Sequence, residues 1–325
     1  MLSFIGDIHL DKPYKVKLNN LNNFIVNLEY PISERGLPAR NKVVFRQPRS
    51  FLKESFGSYP LAVNLANNHI MDYGKEAFED TLSFLDRHNI RYFGAGTLEN
   101  NCNNPAIVPY AKGEIVLFGY SCASTHGLFA NETSPGSALI DEKRIIADIQ
   151  KHKKENRYIV INLHWGDEYN QCPKYQDRLL AHRIIDAGAD LIIGHHAHVI
   201  QPVERYKGKY IFYGLGHFIF PDTDIDAFFD GEKFTRRFVQ KLDKYAKQGL
   251  VVQLDDTLNV TYFTTVFDGE KVYRKKIAIP TFLPESERDF IKKQKYYKRR
   301  TAIYRFIENP KLPTLSHLKN FIKVK

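Results

Sequence analysis

Cysteine is scarce in this 325-residue chain, and its distribution excludes two architectures. Cys102, Cys122 and Cys172 are odd in number and show no CxxC spacing, which argues against a disulfide framework and against a zinc ribbon. No apolar run approaches the roughly 20 residues needed to cross a bilayer. The chain opens MLSFIGD, so strand-like residues begin at once and leave no room for a secretory leader, and a cytoplasmic protein is the expectation. Internal repeats and low-complexity blocks are missing too. What remains, 43% hydrophobic and 26% charged residues, is ordinary globular composition in a chain long enough to bury a large core.

Charge is present but unevenly placed. The formal net charge is +10, and residues 285–325 hold 12 Lys and Arg against 4 Asp and Glu. The basic character therefore belongs to the tail, and the preceding chain is nearly neutral.

Apolar β-rich runs alternate with amphipathic stretches as far as about residue 220. Strands are expected at Leu2–Ile5, Leu61–Leu65, Ile115–Tyr120, Tyr158–Leu163, Leu191–Ile193 and Tyr210–Tyr213, and helices at Lys75–His88, Asp141–Asn156 and Tyr175–Ala187. The alternation reads as α/β with strands buried on both faces. Residues 222–248 break the rhythm and read as a surface excursion containing one helix. From Leu250 to Ile279 three segments turn at Asp255-Asp256 and Asp268-Gly269, an antiparallel meander. Ser286-x-x-Asp289 opens a basic helix with apolar positions Phe290, Tyr297, Ile303, Tyr304 and Ile307, and a last short helix follows Pro310 and Pro313.

Metal-ligand residue types recur just after the strand-like runs: Asp7 and His9 in FIGDIHLD, Glu29 in NLEYPI, Asn68 and His69 in LANNHIMDYG, His164 in VINLHWGDEY, and His196 and His198 in LIIGHHAHVIQP. Each alone has a plain structural reading, such as a turn, a helix cap or a packed histidine. Their recurrence at strand ends in one chain points to a site. Carboxylate, amide and imidazole together suit Mn, Fe or Zn rather than the all-oxygen surroundings favoured by Mg and Ca. Two divalent ions roughly 3.5–4 Å apart need a bridging carboxylate, and Glu29 is the obvious bridge.

The order Asp-x-His, acidic residue, Asn-His, His, His-x-His resembles the calcineurin-like metallophosphoesterases. The blocks NLEYPI, LANNHIMDYG, DTLSFLDRHNIRYFGAG, HWGDEY, GHHAHVIQP and YGLGHFIF are similar, in order, to those of the CapA family of capsule and poly-gamma-glutamate synthesis proteins, over about residues 1–220. The resemblance implies a layered, metallophosphoesterase-like β-sandwich flanked by helices over residues 1–280, with a basic helical tail over 281–325. It implies Asp7, His9 and His198 on one metal, Asn68, His164 and His196 on the other, Glu29 between them, and His69 facing the leaving group. Asp72 then orients His69 or caps its helix. The chain departs from the family pattern at His9, a histidine many relatives lack, at His217, where asparagine is usual, and at His195, where a small residue is usual.

An anionic substrate, small molecule or polymer, is expected from Arg35, Arg40, Lys42 and Arg46, which follow Glu29 closely. Arg46 and Arg40 are the leading substrate-binding candidates, with His195, His217 and Tyr169, and with Tyr213 and Phe218 at the mouth. The implied activity is a dinuclear metal-dependent phosphoesterase acting on an anionic intermediate of capsule or surface-polysaccharide synthesis. The alternatives are a non-catalytic accessory that binds an anionic polymer or its synthase, and an amide-cleaving hydrolase. For residues 285–325 the readings are a helix packed on the core, docking on an inner-membrane surface or a synthase complex, and, least favoured, nucleic acid.

Overall fold

The computed structural model describes residues 1–308 apart from 20, 100, 101, 103, 112 and 282. Two sheets carry the fold. The first runs in spatial order Lys15–Lys17, Lys271–Arg274, Val260–Phe267, Gln248–Leu254, Leu2–Ile8, Phe24–Leu28, Ala62–Asn64 and Arg91–Phe93, with His217–Ile219 also paired to Leu2–Ile8. The second runs Val203–Tyr206, Lys209–Phe212, Leu191–His195, Arg157–His164, Gly113–Ser121 and Ala106–Tyr110. Among the described residues five α-helices accompany the sheets: α1 Leu52–Phe56, α2 Gly74–Arg87, α3 Glu142–His152, α4 Tyr175–Ala187 and α5 Glu287–Glu308.

Side-chain alternation builds three apolar layers from these strands. Leu2, Phe4, Ile25 and Ala62 of the first sheet meet Leu117, Val160, Leu191 and Ile193 of the second in the layer between the sheets. The opposite faces are covered by helices: Phe78 and Leu85 of α2 pack on the first sheet, and Ile145, Ile149, Ile184 and Ile185 of α3 and α4 on the second. The expected α/β sandwich with flanking helices is what the structure shows.

The alternation continues into the ends of the strands, and there its content changes. After Ala62, Val160 and Leu191, the next inward positions are Asn64, Asn162 with His164, and Ile193 with His195. The first strand reaches this polar end through a bulge. Phe4 pairs with Ile25 but Asp7 pairs with Asn27, so one extra residue turns Asp7 onto the side of Asn27. The bulge lies beside the strand that begins at His217. A Cβ on Gly6 would stand 2.0 Å from the Gly216 carbonyl oxygen, so only glycine fits there.

The meander forms as expected, as Gln248–Leu254, Val260–Phe267 and Lys271–Arg274. Residues 222–248 do not contain the expected helix. Thr223–Phe229 and Phe234–Gln240 pair antiparallel about Asp230-Gly231, whose Asp230 carboxylate accepts from the Glu232 and Lys233 amides. β-branched and aromatic residues on both sides of an Asp-Gly turn favour a hairpin over a helix.

Helix α5 lies against the body. Phe290 is fully buried, Tyr297 and Tyr304 are half-buried, and Ile303 and Ile307 are exposed, so only part of the expected apolar stripe packs. At its start the Asp289 amide donates to Ser286 Oγ at 3.2 Å, and the Ser286 hydroxyl donates to the Asp289 carboxylate. The helix expected after Pro310 and Pro313 lies outside the described residues.

Gly6→Ala is expected to destabilise the fold by about 3 kcal/mol or more, because the clash is with backbone rather than with a flexible side chain. Urea titration followed by circular dichroism measures it, and because Gly6 does not hold a positive φ the loss reports the clash itself.

Candidate metal centre

Asp7, Glu29 and His164 offer ligand atoms within 4.8 Å of one another, all three residues buried. Glu168, His196 and His198 form a second such group, with Glu168 exposed. The groups adjoin: the His164 and His196 rings are 4.7 Å apart, and His198 Nδ1 is 3.3 Å from Asp7 Oδ2. Asn68 Oδ1 lies 2.7 Å from His164 Nε2.

Beneath the carboxylates runs an asparagine ladder. Asn27 Nδ2 lies 2.8 Å from Asp7 Oδ1 and 3.0 Å from Glu29 Oε1, while Asn27 Oδ1 accepts from Asn64 and Asn67. Asn67 Oδ1 in turn accepts from the His69 and Ile70 amides and sets the turn on which Asn68 and His69 stand. On the other side His195 Nδ1 is 2.9 Å from Asp7 Oδ1, and the His196 amide donates to Asp7 Oδ2. His196 and His198 both hold left-handed backbone, φ 78° and 55°. For residues with a Cβ this conformation costs of order 1–3 kcal/mol each, and such strain gathers at sites.

The charges are incompletely answered. Glu29 Oε2, His196 Nδ1, His198 Nδ1, His217 Nε2 and His9 Nδ1 are buried without a hydrogen-bond partner. Burial, then the Asp7 charge, pushes the Glu29 carboxyl well above its usual range. Asp7 goes the other way: burial opposes its charge, but His195 and His198 hold it well below. Burial would discharge His198, yet Glu29, Asp7 and Glu168 raise it to about 9. Burial takes His196 down to about 4 and His164 well below its usual value, leaving both neutral and able to coordinate. Unpartnered carboxylate and imidazole atoms converging on one buried spot are what a divalent cation would satisfy, so the donor set fits Mn, Fe or Zn.

Several expected residues stand elsewhere. His9 joins neither ligand group. Its ring is enclosed by Tyr30, Phe45 and Phe220, and its Nε2 faces Gln47 at 3.1 Å. Burial lowers it to about 3. His195 turns its Nδ1 to Asp7 Oδ1, a carboxylate of the first group. His217 donates through Nδ1 to the Ala246 carbonyl and sets its ring 4.4 Å from that of His198. Arg46 turns away, over the Tyr73 ring and onto the Glu34 carbonyl. Arg35 pairs with Asp80 at the surface. Tyr213, bonded to Glu204, and Phe218 are core residues and do not line the mouth.

Asp72 orients His69, whose Nδ1 lies 2.7 Å from Asp72 Oδ2; α2 starts without a side-chain cap. The same carboxylate accepts from the Phe45 amide and pairs with Lys42 at 2.5 Å, and Lys42 also donates to the Asn68 carbonyl. His69, Arg40, Lys42 and Tyr169 line a cavity of about 720 Å³ that the hairpin closes with Phe228 and Phe238. Sequence reasoning missed Asn27, Glu168 and the Asn64–Asn67 pair. Asn27 had a signal, two residues before Glu29 on the same face; Glu168 had only its place in HWGDEY.

An α/β sandwich whose strand ends converge on a buried carboxylate, amide and imidazole cluster defines a candidate metal-centre protein. Residues 10–222 match the family model described as bacterial capsule synthesis protein PGA_cap, and the chain belongs to that family. It is 38% identical over 159 residues to the PGA biosynthesis protein CapA of Bacillus subtilis, covering 49% of this chain and 42% of that one. It is 31% identical over 204 residues to the probable polyglutamine synthesis accessory protein MT0602 of Mycobacterium tuberculosis, covering 59% of this chain and 54% of that one. The matches thus span about half the length of these curated relatives. A hypothetical protein from Thermus thermophilus aligns over 84% of this chain and 99% of its own with a TM-score of 0.46 and 12% identity. The 5'-nucleotidase precursor of the same organism aligns over 78% and 45% with a TM-score of 0.34 and 17% identity. Among the described residues no helix is long and apolar enough to cross a membrane.

Because His198 is charged in the metal-free protein up to about pH 9, binding a divalent cation at pH 7 must displace its proton, and affinity must rise with pH until that proton is gone. Calorimetric titration of Mn or Zn in buffers of different ionisation heat should report about one proton released, from His198. No release, or affinity that falls with rising pH, contradicts this account. Glu29→Gln should weaken binding and reduce the release.

Proposed function

We propose that this protein is a metal-dependent hydrolase of a phosphate ester on an anionic intermediate of capsule or surface-polymer synthesis. The observation that carries the reading is the pair of adjoining ligand groups, Asp7–Glu29–His164 and Glu168–His196–His198, opening on a cavity that also holds a carboxylate-oriented histidine. The relatives named for PGA biosynthesis and polyglutamine synthesis supply the polymer context.

The ligand groups would hold two divalent ions, Mn, Fe or Zn, with Asn68 completing the set. When bound, such ions act as Lewis acids toward a phosphoryl oxygen and lower the pKa of water. The chain's own residues do the rest. Asp72 accepts from His69 Nδ1–H, which leaves Nε2 facing the cavity to hold a proton for the departing oxygen. Lys42 ties Asp72 to the Asn68 backbone, so proton donor and ligand are fixed by one ion pair. Burial keeps His69 below its usual pKa against the pull of Asp72, so its protonated form is spent readily. Arg40 meets the substrate's negative charge, and Phe228 and Phe238 exclude water from one wall.

His69→Ala should keep its metals and lose roughly 10²–10⁴ in turnover on alkyl phosphates. The loss should shrink on p-nitrophenyl phosphate, whose leaving group needs little protonation. Equal losses on both substrates would assign His69 a supporting role only.

We also infer a docking role for the outer face of α5 on an anionic inner-membrane surface. Lys292, Lys295 and Arg299 are exposed there beside Ile303, Phe306 and Ile307. Binding to phosphatidylglycerol vesicles should fall steeply between low and physiological salt, where the Debye length is about 8 Å. Absence of vesicle binding at low salt would remove this role.

A further inference from the structure

The basic helix has an inner edge as well as an outer one, and that edge reaches the candidate metal centre. A second cavity of about 590 Å³ lies between the Gly166–Asn170 loop and α5, with Lys298, Thr301 and Ala302 on its helical side. The two cavities share Thr125, His126, Glu168 and Tyr169, so they meet at the centre rather than lying apart. His198 faces the first cavity and His196 the second, although their ring centroids are only 5.7 Å apart. The centre therefore sits on the divide.

Each arm carries one cation that makes no ion pair among the described residues: Arg40 in the first, Lys298 in the second. Arg40 lies against the hairpin turn beside Asp230, and the second cavity is also lined by Asp167, paired with Lys174, and by Glu168 of the ligand group, while Lys42 is paired with Asp72. The second arm is held in shape by α5. Thr301 donates to the Tyr169 carbonyl at 3.0 Å, Asn170 donates to the Gln294 carbonyl, and Arg300 donates to Gln171.

A terminal phosphate monoester needs room on one side of phosphorus only. Two arms, each carrying a cation outside any ion pair among the described residues, fit a chain that continues in both directions and carries negative charge on both sides. We propose that the site takes an internal phosphodiester linkage of a polyanionic chain, with one flanking anionic group on Arg40 and the other on Lys298. This rests on the hydrolase reading for its chemistry but not for its binding geometry. In the step, water adds to phosphorus and gives up a proton, and the bond to the oxygen on the first-arm side breaks. That oxygen takes a proton from His69, which lines the same arm. The products are an alcohol in the first arm and a phosphate monoester in the second.

The test uses the full chain loaded with Mn and a glycerol-phosphate decamer, joined by phosphodiesters and blocked and dye-labelled at both ends. Wild type should cut it internally. Lys298→Glu should raise KM for the decamer about tenfold, the scale of one charge-assisted contact, with a smaller loss on p-nitrophenyl phosphate. Arg288→Glu, an equal charge change at an exposed position of α5 outside both cavities, should change neither. Cleavage of p-nitrophenyl phosphate with an intact decamer overturns the proposal, as does a Lys298→Glu effect no larger than that of Arg288→Glu. Anisotropy of the labelled decamer separates the two ideas. Binding that weakens in both Arg40→Glu and Lys298→Glu supports the two arms even if nothing is cut, and then only the hydrolase reading fails. Binding indifferent to both variants overturns the arms.

Discussion

Two carboxylates buried side by side between packed sheets are the costliest feature of this molecule, and much of its local structure answers them. Asp7 and Glu29 each have no exposed surface. An isolated buried carboxylate costs several kcal/mol even after relaxation, and the cost persists unless hydrogen bonds and opposite charge meet it. The asparagine ladder, the His195 ring and the His196 amide supply the hydrogen bonds to Asp7. The bulge that brings Asp7 opposite Asn27 requires glycine at position 6, because the neighbouring strand passes there in backbone contact. Gly194 is constrained in the same way, since a Cβ would stand 1.9 Å from the Tyr213 carbonyl. Close packing around the centre is thus a consequence of holding charge in the sandwich.

Protons do part of the work that a cation would do. His198 retains one to about pH 9 because three carboxylates surround it, and the Glu29 carboxyl is pushed up by burial and then by the charge of Asp7. Glu29 Oε2 and His196 Nδ1 still lack hydrogen-bond partners. A protein that used this fold only as a passive surface would gain stability by replacing these groups with apolar ones. Keeping them, together with two left-handed histidines, is the pattern of stability given up at a working site.

The strand ends were legible because period-two alternation and ligand residue types occur in the same short motifs, as in VINLHWGDEY and LIIGHHAHVIQP. What alternation cannot reveal is a bulge, since the extra residue before Asp7 is visible only against its partner strand. Nor does it reveal which side chains become neighbours. His9 looked equivalent to Asp7, two residues away, but the chain carries it past the centre into an aromatic enclosure. Arg46 looked well placed beside Phe45, yet Phe45 points to His9 and His69 while Arg46 lies over Tyr73. Glu168 was invisible for the opposite reason: its loop, not its sequence, brings it to His196 and His198. The hairpin over 223–240 was misread because its charged residues masked the β-branched and aromatic alternation about Asp230-Gly231.

The tail shows how little net charge says about address. Residues 285–325 hold most of the excess positive charge, which by itself states an affinity for anions without a direction. Folded as α5, the same cations separate. Lys292, Lys295 and Arg299 face outward, Arg300 stacks on Tyr245 and Tyr297 and donates to Gln171, and Lys298 enters the second cavity. One turn of helix distinguishes a residue that would greet a charged surface from one that would greet a substrate. Asn170 and Thr301 fasten that helix to the loop bearing Glu168 and Tyr169, and Phe290 packs it on Tyr175 of α4. The outward cations and Lys298 are thus carried by one packed helix rather than by separate parts of the chain.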